Sequence, residues 1–176
     1  MDAQAYLDLL DARFSVRSFT DEQLTREDLA PILESARMSP SAKNMQPYRL
    51  CIVQSEEGLA KIDECTKCRY NAPTVIICAF DKTVSVKGLG FEGNDFGYID
   101  TSIVMTNMAN TAAAAGLGSC FVGAYDSDAI RERFDVPDDY VLVDLLMLGH
   151  PAPDAAPTER HILRAPLEQT ATHESF

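Results

Sequence analysis

The chain has 176 residues, 46% hydrophobic and 24% charged, and its 27 acidic against 15 basic side chains give a formal net charge of -12. That length fits one domain with its own core and needs no disulfide staples. Such a charge excludes a general nucleic-acid or anionic-membrane partner, yet a local arginine cluster can still hold one anionic ligand.

Residues 1–176 therefore read as a single domain, with no internal repeat and no linker. Five Cys without secretory context favour reduced thiols. The opening Met-Asp-Ala-Gln-Ala-Tyr has no basic region, and no stretch approaches the roughly 18 apolar residues that span a bilayer. The expectation is a cytoplasmic protein.

In chain order, residues 4–12 read as a helix with Tyr6, Leu9 and Leu10 on one stripe. Polar and apolar residues alternate over 13–19, which predicts an extended segment with Arg13, Ser15 and Arg17 on one side. Thr25 and Asp28 form an acidic relative of the capping box, opening a helix over 26–37. The loop Pro40-Ser41-Ala42-Lys43-Asn44-Met45-Gln46-Pro47 follows. Residues 48–53 read as a strand, 56–65 as a helix and 74–80 as a buried strand.

Residues 81–98 hold four Gly and little periodicity, so they read as an excursion or lid. The longest helix is expected over 99–115, headed by Asp100 at its positive end and buried on most sides. A strand over 119–124, a short helix over 128–134 and a strongly apolar strand over 141–148 complete the pattern. The tail 155–176 has no core periodicity. This mixture predicts an α+β three-layer α-β-α sandwich with a mixed, mostly antiparallel sheet.

The residue types themselves point to chemistry. Arg13, Ser15 and Arg17 offer two forked donors and a hydroxyl along one edge, a set that suits a phosphate; spacing alone leaves a solvated face with surface ion pairs as the alternative. Ser41, Asn44 and Gln46 suit the polar edge of a heteroaromatic ring, or else satisfy local backbone groups at a helix end. Gly123 and Ala124 permit close approach to the backbone. Cys65-Thr66-Lys67-Cys68 has redox spacing without the βα context, and Cys51, Cys78 and Cys120 read as small core residues within apolar strands. No metal-ligand set and no nucleophilic triad stand out.

Taken in order, these segments resemble the FMN-dependent nitroreductase family along nearly the whole chain. The resemblance is carried by Arg13-Phe14-Ser15-Val16-Arg17-Ser18-Phe19, the Pro40–Pro47 loop, Asn71-Ala72-Pro73, Asp100 on a long Ala-rich helix, Gly116-Leu117-Gly118-Ser119-Cys120, and Arg160-His161 with Arg164-Ala165-Pro166-Leu167. It implies a homodimer with FMN at the subunit interface, and a tail over 155–176 wrapping the partner. Arg13, Phe14, Ser15 and Arg17 would hold the FMN phosphate and the ring's polar edge. Pro40, Ser41, Asn44 and Gln46 would line the flavin, with part of that loop supplied by the other subunit, Gly123 and Ala124 would flank N5, and Arg164 with Arg160 would reach the phosphate.

The activity so implied is two-electron transfer from NAD(P)H to a small acceptor, a nitro compound or quinone, by a ping-pong route with no catalytic side chain. Another flavin task (ene reduction, dehalogenation, flavin breakdown) or a flavin sensor without turnover are the alternatives. This sequence departs from the pattern at Tyr48, where many relatives carry Trp, at Ile162, where larger relatives carry Lys, and at Gly123, where larger relatives carry an acid.

Overall fold

The computed structural model describes residues 2–88 and 95–175. Its helices are α1 (Ala3–Ala12), α2 (Arg26–Arg37), α3 (Glu56–Cys65), α4 (Phe96–Ala114), α5 (Ser127–Arg133) and α6 (Leu167–Thr170). Its strands are β1 (Tyr48–Val53), β2 (Thr74–Asp81), β3 (Gly118–Val122) and β4 (Tyr140–Gly149). Short 3-10 turns occupy Ala42–Asn44 and Glu159–His161.

Helix starts follow from side-chain oxygens that accept first-turn N–H groups. Asp2 caps α1, Ser55 caps α3, Asp95 caps α4 and Asp126 caps α5. At α2, Thr25 and Asp28 form the reciprocal capping box that their spacing predicts.

The sheet runs β1-β2-β4-β3, and every ladder between these strands is antiparallel. The expected mixed character is reduced to one isolated parallel bridge, Ser15 with Ser119. β2 and β4 are central, which explains why both read as continuous apolar runs rather than alternating ones. Ile76, Cys78, Leu146 and Leu148 face α2 and α4, whereas Val75, Ile77, Leu145 and Met147 face α3 and α5. Two cores on two sheet faces make the α-β-α sandwich.

Three boundaries correct the sequence reading. α4 begins at Phe96, because Asp95 caps Gly97 and the helix tolerates that glycine in its first turn. Asp100 therefore sits in the second turn, buried rather than heading the helix. Of the 81–98 segment, Asp81 completes β2, Lys87 bridges Asp95, and residues 96–98 belong to α4. Residues 89–94 of the lid expected over 81–98 lie outside the described residues. Cys78 and Cys120 are buried, but Cys51 is exposed on edge strand β1, contrary to a core assignment.

Gly97 lets α4 pack directly against Phe80 of β2. A Cβ there would fall within the ring of Phe80, a side chain that is itself buried. Gly97→Ala should therefore cost about 1–3 kcal/mol through overpacking, after any gain in helix propensity. The check is a denaturant midpoint; an unchanged midpoint would mean that Phe80 yields freely.

Candidate active site

The N-terminal extended segment lies alongside β3. The Val16 N–H donates to the Ser119 carbonyl at 2.9 Å, and the Thr20 N–H donates to the His150 carbonyl at 3.0 Å. Val16 turns inward and is buried, so the alternation sends Ser15 and Arg17 the other way, whereas Phe19 breaks that alternation and is buried as well. Gly118 makes this possible, since a Cβ there would come within 2.8 Å of Val16 Cγ2. Arg13 lines a cavity of about 190 Å³ together with Phe14, Val16, Ala113, Gly116 and Leu117. Neither Arg13 nor Arg17 takes part in an ion pair among the described residues. Two guanidiniums without carboxylate partners on one short segment are donors that could hold an anion.

The tail folds back onto this end. His161 Nε2 lies 2.7 Å from the Asp11 carbonyl oxygen, and its ring meets Phe14 edge-on at 6.3 Å. That contact carries Arg160 and Arg164 towards the Arg13 segment. Arg164 donates to the carbonyls of His161 and Leu163, while Arg160 is exposed.

The Pro40–Pro47 loop is held by a different part of α4. Asp100 Oδ1 accepts from the Ala42 N–H at 2.9 Å, and Asn107 Nδ2 donates to Ser39 Oγ at 2.8 Å. Within the loop, Ser41 Oγ accepts from the Gln46 N–H at 2.9 Å, and Gln46 Nε2 donates to the Asn44 carbonyl at 3.1 Å. Lys43, Asn44 and Gln46 all have positive φ, of 50°, 55° and 51°. Left-handed non-glycine residues cost energy and persist only where surrounding bonds fix them. Ser41 and Gln46 thus do serve their own loop. Lys43, Asn44 and Gln46 are exposed, and Pro40 stands exposed at the loop's entrance.

Within one chain the two groups do not meet. Ala113 lines the Arg13 cavity and Asp100 holds the loop, and a separation of 13 residues on one helix is about 20 Å at ~1.5 Å per residue. Arg13 and Phe14 line one cavity, Ser15 and Arg17 follow them on the same segment, and the loop of Ser41, Asn44 and Gln46 is anchored about 20 Å away along α4. Gly123 and Ala124 follow β3 and are exposed, which leaves their backbone accessible.

Two residues absent from the sequence reading belong here. Thr66, buried between the two cysteines of the Cys65–Cys68 turn, donates through Oγ1 to the Ala124 carbonyl at 2.7 Å and accepts from the Cys68 N–H at 3.0 Å. That turn is a brace for Gly123 and Ala124, and Cys65 is buried with its thiol on the Lys61 carbonyl. Asp144 is the other, a half-buried carboxyl on β4 whose signal was a lone acid inside Val-Leu-Val-Asp-Leu-Leu-Met-Leu. No group of acids, His and Cys able to hold a metal occurs among the described residues.

Asp100 is buried, its Oδ2 has no hydrogen-bond partner among the described residues, and burial raises its carboxyl above the ordinary range. The sign follows: the folded state holds the proton more tightly, so stability falls as pH climbs from the unfolded value through the raised folded one. Asp100→Asn should remove that slope and keep the acceptor for Ala42. Asp100→Ala should release the loop and weaken ligand retention about tenfold, since a charge-assisted bond contributes about 1.5–3 kcal/mol. Equal retention in wild type and Asp100→Ala would count against the anchoring role.

A model described as the nitroreductase family matches residues 10–74 and 67–150. A solved nitroreductase family protein from Clostridium difficile 630 superposes with a TM-score of 0.89 at 33% identity, over 97% of this chain and 98% of that one. A nitroreductase in complex with FMN from Exiguobacterium sibiricum 255-15 shares the fold at a TM-score of 0.79 and 24% identity, with 98% of each chain covered. An NADH dehydrogenase/NAD(P)H nitroreductase of Archaeoglobus fulgidus is 29% identical over 153 residues, 82% of this chain and 84% of its own length. An FMN reductase (NAD(P)H) of Bacillus subtilis is 28% identical over 163 residues, 83% of this chain and 66% of its own. The chain belongs to the nitroreductase family.

Proposed function

We propose that this chain is an NAD(P)H-dependent FMN oxidoreductase that works as a homodimer, each site drawing residues from both subunits. The carrying observation is the division of the site residues into two sets about 20 Å apart on one helix. A twofold partner would bring the Pro40–Pro47 loop of one subunit to the arginine end of the other. The faces such a partner would cover are apolar and uncovered in the single chain: Tyr6 and Leu7 of α1, with Tyr98 and Ile99 of α4. Clustered exposed side chains of this kind mark association surfaces.

The residues fit FMN. Among the described residues neither Arg13 nor Arg17 pairs with a carboxylate, and the Arg17 guanidinium donates to the Ser15 carbonyl at 3.4 Å. A Cβ built at Gly123 meets nothing but Asp144 Oδ1 at 3.7 Å, so a flat ring can lie close over that backbone. From Ser119, beside Ser15, to Gly123 is about 13 Å of strand at ~3.3 Å per residue, enough to part a phosphate from a ring. Arg13 and Arg17 would bind the phosphate, with Ser15 as a further donor and Arg160 and Arg164 adding charge from the tail. Asn44 and Gln46 of the partner loop would orient the ring edge, and the Ala124 backbone, braced by Thr66, would meet N5.

The bound flavin supplies two-electron chemistry at N5. This chain contributes binding, orientation and an apolar wall that limits water, and no side-chain acid or base is assigned a catalytic step. NAD(P)H and the acceptor, a nitro compound, quinone or similar molecule, would occupy the same face in turn, giving ping-pong kinetics. No helix among the described residues is long and apolar enough to cross a membrane.

The purified protein should be yellow, bleach on anaerobic addition of NAD(P)H and recover its colour with a quinone. Arg13→Ala and Arg17→Ala should each weaken FMN binding tenfold or more, since a charge-assisted bond to phosphate contributes about 1.5–3 kcal/mol, with thermal stability of the apoprotein unchanged. A solution mass of one chain in a preparation that holds FMN tightly would overturn the shared site.

A further inference from the structure

We propose that the Asp144 carboxyl, set against the bare backbone of Gly123, is the ionisable group that governs how readily the flavin bound over that backbone accepts electrons. The proposal rests on the placement of the ring at Gly123 given above. It goes beyond that placement by giving a charge-setting role to a residue on a different strand.

The geometry comes from register. Val122 pairs with Leu145, and continuing the antiparallel ladder sets Gly123 opposite Asp144. Cross-strand neighbours share a sheet face. Leu146 and Leu148, two and four residues along β4, belong to the core beneath α4, so Asp144 faces that side as well. Asp144 Oδ1 would touch a Cβ at Gly123 at 3.7 Å, and apart from Gly123 and its chain neighbours no other atom of the described residues lies within 4 Å of that point. Glycine there leaves the carboxyl and whatever lies over the backbone as direct neighbours.

The electrostatic surroundings leave Asp144 uncompensated. Its only hydrogen bond is from the Leu145 N–H to Oδ1 at 2.9 Å, and no Lys or Arg pairs with it among the described residues. Cys78 of β2, Cys120 of β3 and Tyr125 beyond β3 all feel its charge, and Tyr98 of α4 also acts on Tyr125. Burial pushes both thiols up and the Tyr125 phenol up to about 12, so these three stay neutral across the working range. Arg17 acts on Cys120 from the N-terminal segment. Burial also raises the Asp144 carboxyl, with the Leu145 N–H opposing it. Asp144 is thus the member of this set that changes charge.

Adding two electrons to a ring beside a carboxylate brings like charges together in a partly desolvated place. Ionised Asp144 disfavours the reduced ring, and neutral Asp144 does not. The coupling is reciprocal: reduction of the ring makes Asp144 bind a proton more tightly. Asp144 would draw that proton from water on reduction of a bound flavin and return it on reoxidation.

The test measures the midpoint potential of the holoenzyme's FMN against a reference dye from pH 5 to 9, in wild type, Asp144→Asn and Asp144→Leu. The wild-type potential should coincide with both variants at low pH and fall below them as pH rises. At the upper end, reduction should be about tenfold more favourable in the variants, equivalent to a coupling of roughly one pKa unit. Curves that superimpose at all pH values, or that differ by a constant offset, would overturn the proposal. Should Asp144→Asn lose FMN or fail to fold, Asp144→Leu and the infrared carboxylic-acid band of wild type, oxidised against reduced, carry the test. No gain of that band on reduction would then reject it. Failure of the underlying placement is distinguishable: there Arg13→Ala and Arg17→Ala would keep full FMN affinity, whereas loss of FMN in those variants with superimposed potential curves rejects Asp144 alone.

Discussion

One apolar helix dictates the arrangement of this chain. α4 carries Val104, Met105, Met108, Ala109 and Ala112 into the core beneath the sheet, yet Tyr98, Ile99 and Ile103 lie on other sides of it. No single face of a sheet can cover such a helix. α1, α2 and all four strands pack on it. The outer strip is left over, and burying each large apolar side chain there would be worth roughly 1.5–3 kcal/mol. A second subunit, as proposed above, would cover that strip, and a site could then be assembled across the cover.

The same helix stabilises a costly loop. Three left-handed non-glycine residues within the Pro40–Pro47 loop cost of order 1–3 kcal/mol each, and an isolated loop would relax. Asp100 and Asn107 hold Ala42 and Ser39 to α4, so the strain is offset by bonds to a rigid, buried element. The amides at the loop's tip therefore project from a fixed backbone. Preorganisation of this kind matters for a planar ligand, whose binding would otherwise have to order the loop as well.

What could be read from the sequence was whatever depends on periodicity and local capping. Thr25 with Asp28, the apolar runs of β2 and β4, and the alternation from Phe14 to Arg17 each encode their conformation within a few residues. Together with the order of the motifs, they made the layered fold legible. The misreadings arose where distant contacts decide. Gly97 looked like a loop residue because its reason for being glycine is Phe80, far away in sequence. Asp100 looked like a dipole cap because its partner, the Ala42 N–H, is brought there by tertiary packing. Cys51 looked buried because edge and centre strands share one apolar signature. Asp144 and Thr66 were silent for the same reason, since each acts on the Gly123–Ala124 turn from another element.

The net charge and the site then cease to conflict. Screening confines exposed charges to about 10 Å at moderate salt, so acids scattered over the surface contribute little at one phosphate. What counts is the balance within that radius. The structure leaves Arg13 and Arg17 without acidic partners on one side of the sheet edge, while most other cations pair with carboxylates or backbone carbonyls elsewhere. Farther along the same strand the balance reverses, because Asp144 beside Gly123 has no cation to neutralise it. A cofactor lying along β3 would thus have its phosphate in a positive field and its ring beside a titratable negative one. Such a gradient favours binding of the whole cofactor while leaving the ring's affinity for electrons open to adjustment by a single proton.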